Sequence, residues 1–185
     1  HLEILKLLIQ DKRVDPSDEN NFVIKNMSRK GNFEIVKLLL QDKRVNPSAS
    51  FNYAIRKASE HGYLEIVKLL IQDKRVDPSD GNNSAIEKAS EYGYLEIVKL
   101  LLQDKRVNPS AECNAAIKKA SEHGYLEIVK LLIQDKRVDP SSEHNFAIEI
   151  ALRNNHLKIV KLLLQDKRVD PSIDSNYLIR EAFKY

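Results

Sequence analysis

The amino-acid sequence predicts an all-α solenoid of stacked helix-turn-helix repeats, and three observations carry that prediction. The octet Gln41-Asp42-Lys43-Arg44-Val45-Asn46-Pro47-Ser48 returns from Gln10, Gln72, Gln103, Gln134 and Gln165, always 31 residues on, with Asp or Asn before the proline. Two segments of helical apolar periodicity lie between successive octets. A glycine or asparagine parts those two segments, and the proline parts one repeat from the next. A fixed period of this size marks an array whose repeats are each too small to bury a core alone.

Framed at the Asp or Asn before proline, the chain holds five whole repeats: 15–45, 46–76, 77–107, 108–138 and 139–169. Half-repeats, 1–14 and 170–185, flank them, and the whole reads as one array. Both ends fall inside a repeat and the first residue is not Met, which reads as a piece of a longer protein. The first and fifth whole repeats are the odd ones, with Asn26, Met27 and Phe33 in one and Ile150, Leu152 and Lys158 in the other. Atypical outer repeats hint at capping, which pulls the opposite way. Ile9, Ile71 and Ile133 alternate with Leu40, Leu102 and Leu164, so a 62-residue pair reads as the duplicated element.

The second whole repeat serves as the type. Asn46-Pro47-Ser48 opens a turn, and Ala49-Ser50-Phe51 forms a changeable tip. Asn52 follows, and an Asn recurs there in all six copies from Asn21 to Asn176, where it is expected to cap the first helix. That helix is expected from Tyr53 to about His61. Gly62 then takes the left-handed place after it, which Asn155 fills in the fifth repeat. Ala54, Ile55, Ala58 and Ser59 gather on the inner side; Tyr53, Arg56, Lys57, Glu60 and His61 gather on the outer. The second helix runs Tyr63 to Gln72, apolar except for a stripe of Glu65, Lys68 and Gln72.

The segment Glu60-His61-Gly62-Tyr63-Leu64-Glu65-Ile66-Val67-Lys68-Leu69-Leu70, with Ala58-Ser59 before it, resembles the turn and second helix of the ankyrin repeat. Asn154-Asn155-His156-Leu157-Lys158-Ile159-Val160-Lys161-Leu162-Leu163 is similar. The resemblance covers the whole chain, in a short variant like those in tandem families of protists and large DNA viruses. Ankyrin repeats usually have about 33 residues. Here Tyr53-Ala54-Ile55-Arg56 stands where that family has Thr-Pro-Leu-His, and Asp73-Lys74-Arg75-Val76 replaces its Gly-Ala-Asp-Val turn. The two missing residues fall in the connection between repeats, so short loops or rudimentary hairpins are expected there.

Comparing copies within the chain separates framework from variation. Pro47, Ser48, Asn52, Ile55, Lys68 and the Gln72–Val76 block hardly change. The tips and the outer face of the first helix do change. In ankyrin-like arrays these two regions line a concave surface, which the resemblance makes the partner site. The candidate residues are Tyr53, Arg56, Lys57, Glu60 and His61 in one repeat and Ser84, Glu87, Lys88, Glu91 and Tyr92 in the next. Lys118, Lys119, Glu122 and His123 follow, then Phe146, Glu149, Ile150 and Arg153. Recurrent rings there make good interface anchors; the competing reading is solvent-facing drift after duplication, with Tyr53 and Phe146 packing on the adjacent repeat.

The expected function is therefore non-enzymatic binding of a protein partner, by a monomer and without a cofactor. The Asp-Lys-Arg triplet of each copy offers a second reading, a line of cations tracking nucleic-acid phosphates. Against it, each triplet carries its own Asp, and exposed ion pairs between repeats account for the pattern as well. A third reading is a rigid spacer between domains elsewhere. The near balance of 30 basic and 27 acidic residues, net +3, argues against a nucleic-acid or membrane partner. A single cysteine, Cys113, fits a reducing cytoplasmic or nuclear compartment, and no apolar run reaches the length of a membrane span.

Catalytic constellations are wanting. Ser59, Glu60 and His61 are successive helical positions, pointing about 100° apart. His61 and His123 lie two repeats apart, too far to share a metal. No Gly-rich phosphate loop, no His-Glu-x-x-His and no small-molecule site is visible. Cys113 beside Glu112 reads as an incidental surface thiol.

Overall fold

A computed structural model describes residues 2–182, and of residues 173–177 only the backbone. The expected N-terminal His1, Asn176 side chain and Tyr185 lie outside the described residues. Twelve helices follow one another among those described: α1 Leu2–Gln10, α2 Asp18–Arg29, α3 Phe33–Gln41, α4 Ala49–Glu60, α5 Leu64–Gln72, α6 Asp80–Glu91, α7 Leu95–Gln103, α8 Ala111–Glu122, α9 Leu126–Gln134, α10 Ser142–Arg153, α11 Leu157–Leu164 and α12 Ile173–Ala182. They form two compact units, His1–Ala85 and Ile86–Tyr185, with the boundary inside α6.

Each repeat pairs a first helix, rich in small residues everywhere but in α2, with an apolar second helix. In the N-terminal unit α2 packs on α4 and α3 on α5, while α4 holds its own partner α5. In the C-terminal unit α8 packs on α10 and α10 on α12, with α7 on α9 and α9 on α11. Like thus stacks on like. Ala54, Ile55 and Ala58 of α4 are buried with Ile66, Val67 and Leu70 of α5, and Val76 closes the layer beneath. Burying each such Ile or Leu contributes about 1.5–3 kcal/mol. Glu65, Lys68 and Gln72 face solvent as the stripe predicts, and Lys68 Nζ meets Glu65 Oε1 at 2.7 Å.

The first helix ends as its sequence requires. Gly62 has φ +77°, and Asn155, its replacement, has φ +57°. The amide of Tyr63 then reaches back to the Ala58 carbonyl at 2.9 Å, closing a Schellman turn. A second demand on these glycines is absent from the sequence reading. A Cβ on Gly31 would lie 2.7 Å from the Tyr63 ring of the following repeat. On Gly93 it would lie 2.6 Å from Tyr125, and on Gly124 2.7 Å from His156. In these three cases the ring that opens a second helix sits on the glycine one repeat earlier. His156 adds a contact of its own, Nε2 to the Glu122 carbonyl at 3.0 Å.

The start of the first helix corrects the sequence expectation. No hairpin and no strand is present among the described residues. Three consecutive residues are left-handed instead: Ser50, Phe51 and Asn52 at φ 57°, 57° and 53°. Glu19-Asn20-Asn21, Gly81-Asn82-Asn83, Glu112-Cys113-Asn114 and Glu143-His144-Asn145 repeat the device. The right-handed helix begins only after them. Ala49, placed at the changeable tip, is buried.

The recurrent Asn is the last of these left-handed residues and does not cap its own helix. Its side chain is spent on the next repeat. Asn52 Oδ1 accepts from the Asp77 amide at 3.2 Å, and its Nδ2 donates to Asp80 Oδ2 at 2.9 Å. Asn21 Oδ1 likewise accepts from the Asn46 amide at 2.6 Å, and Asn114 Oδ1 from the Asp139 amide at 2.9 Å. Asn tolerates the left-handed region and brings both an acceptor and a donor, so it suits this position twice over. The Asp or Asn whose amide donates this bond uses its own Oδ1 to accept from Ser two residues on, as Asn46 does from Ser48 Oγ at 2.7 Å and Asp77 from Ser79 Oγ at 2.7 Å. Either residue supplies that oxygen, which explains why the two alternate.

Two stability predictions follow from this geometry. Glu112 is exposed at φ 50°, and the preceding repeat has Gly81 at the same place. Glu112→Gly should therefore stabilise the chain by about 0.5–1 kcal/mol in urea unfolding, whereas Glu112→Val should destabilise it. Gly31→Ala should cost about 2 kcal/mol or more through both its positive φ and the Tyr63 ring. Adding Tyr63→Ser to that variant should recover the steric part, so the double-mutant cycle should show coupling.

Candidate functional site

Two surfaces compete for function, the triplet ladder and the first-helix face. The ladder begins from unmatched backbone. A helix leaves its last carbonyls without intrahelical partners, and a second helix that stops at a tight turn must find donors for them. Arg75 supplies these from the following repeat. Its Nη2 donates to the Leu40 carbonyl in the last turn of α3 at 2.8 Å, and its Nη1 to the Val45 carbonyl at 2.8 Å. Arg44 reaches the Val14 carbonyl at 2.9 Å, Arg137 reaches Val107 at 2.7 Å, and Arg168 reaches Val138 at 2.7 Å and Ile133 at 3.1 Å.

The aspartate of each triplet aims that guanidinium. Asp73 takes Arg75 Nη2 at 2.6 Å and Nε at 2.9 Å, and also the Arg75 amide at 3.0 Å. The same fork recurs at Asp42–Arg44, Asp104–Arg106, Asp135–Arg137 and Asp166–Arg168. The sequence reading placed the ion pairs between repeats. They lie within each triplet, and the bond between repeats runs from guanidinium to carbonyl. Donors that a phosphate would need are thus already engaged at these arginines. The Arg75 side-chain bond to Asp73 holds that carboxyl below its ordinary value of 3.8, against the opposing effect of burial.

On the first-helix face of the N-terminal unit, Tyr53 is half-buried, with Arg56 and Lys57 each 5.8 Å from its ring centroid. Lys57 pairs with Glu60 at 2.7 Å. His61 is exposed, its ring 5.9 Å from that of Tyr63. Ser84 is half-buried.

In the C-terminal unit the charged candidates are held by one another. Lys88 meets Glu91 at 2.6 Å; Lys119 meets Glu122 at 2.9 Å and Glu91 of the previous repeat at 3.8 Å. Hydrogen bonding to Glu91 raises the Lys88 pKa, and bonding to Glu122 raises that of Lys119. Lys118 crosses to Glu143 at 2.7 Å and stands 5.7 Å over the Phe146 ring, so Phe146 does pack on the adjacent repeat. Arg153 meets Glu149 at 2.7 Å and the buried Glu181 at 3.5 Å. Glu87 and Ile150 are half-buried, while Tyr92 and His123 are exposed. The face brings its candidates together in rows. It does not gather them into a catalytic cluster or, among the described residues, into a metal-binding group.

Sequence reasoning missed three sets of residues that join repeats: the arginines that cap carbonyls, the asparagines that bridge, and the rings on glycine. For the rings a signal was present, since Tyr63 and Tyr125 each follow a glycine. No helix among the described residues is long and apolar enough to cross a membrane.

A family model described as ankyrin repeats matches in 3 copies, over residues 1–82, 24–113 and 86–175. No match was found among curated proteins.

Substituting Arg75 by Gln removes the fork and the carbonyl bonds together. The expected loss in urea unfolding at neutral pH is about 1–2 kcal/mol, kept modest by partial exposure. Because the Asp73 pKa is lowered on folding, its share of stability is present above the ordinary value of 3.8 and fades as pH falls through the folded value. The gap between wild type and Arg75→Gln should therefore be widest near neutrality and narrow below pH 3.8.

Proposed function

Because this chain belongs to the ankyrin-repeat family, whose members generally serve as protein–protein interaction modules, we propose that it binds a partner protein through its first-helix outer faces and tips. The observation that carries this reading is the division of labour between side chains. Those that repeat with little or no change, the Asn, the Asp-Arg fork and the glycine, serve in joining repeats. Those that vary from copy to copy stand on the first-helix face, outside that recurrent framework, and several of them pair with one another. Tyr92 at 47% exposed and the exposed His123 give the C-terminal unit anchors of the kind that dominate interface energetics. A surface held in rows by ion pairs and stacked helices is preformed, so little ordering entropy opposes binding.

The test is affinity capture from the native cell extract, comparing wild type with a variant carrying Lys88→Gln, Tyr92→Ala, Lys119→Gln and His123→Ala. Matched thermal unfolding of the two chains shows that both are folded. A protein retained by wild type and lost by the variant is the expected outcome. Equal retention by both would make the varying face drift, and capture of nothing by either would favour the spacer reading.

A further inference from the structure

Resting on that protein-binding reading, we infer that the groove between α2 and α4 takes an acidic partner segment with an aromatic or aliphatic side chain among its carboxylates. The groove measures about 620 Å³ and is lined by Phe22, Lys25, Asn26, Arg29, Ser50 and Tyr53. Phe22 and Tyr53 hold the same position in successive repeats, so the stacking of α2 on α4 brings two rings into one depression. Phe22 is 51% exposed. Such a ring, left open on a helix face, offers apolar area to an incoming side chain at small entropic cost.

Charge separates this groove from the C-terminal unit. There Lys88, Lys118, Lys119 and Arg153 each have a carboxylate partner. In the groove, Lys25 Nζ donates to the Ser50 hydroxyl at 3.2 Å and Arg29 Nη2 to Asn26 Oδ1 at 3.1 Å. Both acceptors are neutral, and neither cation meets a carboxylate among the described residues. Arg56, beside Tyr53, is in the same state, and its Nε is buried without a hydrogen-bond partner. Glu60 is already held by Lys57, and Asp80, whose neighbour Gly81 lies against Arg56, accepts from the Asn52 side chain and the Gly81 amide. Uncompensated cations around an apolar floor favour carboxylates, because charge-assisted bonds are about twice as strong as neutral ones.

A single-stranded nucleic acid also likes cations and rings, but it needs a run of free ring faces along a basic track. Arg56 and Lys57 already stand over the Tyr53 ring, which leaves Phe22 as the open face. The acidic peptide fits better.

The experiment is fluorescence anisotropy on the full chain with a short fluorescein-labelled peptide of Glu and Ser around a central Phe. Replacing Glu by Lys, or the central Phe by Ser, should each weaken binding about tenfold or more. On the protein side, Lys25→Gln with Arg29→Gln should weaken it about tenfold, as should Phe22→Ser. Lys74→Gln, on an exposed loop of the same unit, should leave it unchanged. Binding should also fall as salt rises. Unaltered thermal unfolding of each variant shows that the loss is not misfolding. Equal binding to the Lys25/Arg29 variant, or tighter binding of oligothymidine than of the peptide, overturns the inference. Should wild type retain a face-dependent protein partner that the peptide fails to displace, the acidic assignment falls and the protein-binding reading stands.

Discussion

Two helices and a turn leave polar backbone that cannot be satisfied within 31 residues. The last carbonyls of each second helix and the amide that opens the following turn are the groups at stake, and an orphaned buried one costs about 1–3 kcal/mol. This molecule satisfies them from the neighbour. Arg75 forks onto the Leu40 and Val45 carbonyls of the repeat before it, while Asn52 reaches forward to the Asp77 amide. Hydrophobic stacking holds the helices together without direction. These bonds give it direction, because each works only when the next repeat sits in one register.

The short repeat length follows from how the tip is made. A hairpin would let the loop satisfy itself with strand hydrogen bonds and would need more chain. Three left-handed residues turn the backbone in less, at a steric cost that only Gly and Asn largely escape. Asn closes the tip in every described copy, and the first position varies from Glu19 to Gly81 to Glu143. The steric cost is therefore tolerated wherever the side chain is free to serve another purpose. Tip residues such as Ser50 also border the groove, so the economy of the turn and the chemistry of the surface share residues.

Much of this was legible in sequence. The 31-residue period gave the repeats, Gly62 and Asn155 gave the helix ends, and the Glu65, Lys68, Gln72 stripe gave the exposed side of α5. What could not be read was partnership across repeats. Asn before a helix ordinarily caps it, and nothing local says that Asn52 is left-handed and faces the next turn. Asp73-Lys74-Arg75 looks like a surface charge pattern until the Leu40 carbonyl is placed beside it. The candidate face is marked in the sequence by variation among copies, but only geometry shows that Lys88, Lys118 and Lys119 meet carboxylates while Lys25 and Arg29 meet neutral acceptors. Phe22 is marked in sequence only as the counterpart of Tyr53 in the atypical first repeat.

The bonds between repeats span fixed distances along the chain, 30 residues from Arg75 to Val45 and also from Arg168 to Val138, and 25 from Asn52 to Asp77 and from Asn114 to Asp139. Within each compact unit the same chemistry thus recurs from seam to seam, with the last varied: there Asn145 Nδ2 donates to the Asp170 carbonyl instead. Misaligned recombination between two copies of such a coding sequence would add or delete a 62-residue pair and leave an arginine and an asparagine in register at the new join. Lineages carrying this design can change the number of repeats in one genetic event, with no compensating substitution at the join.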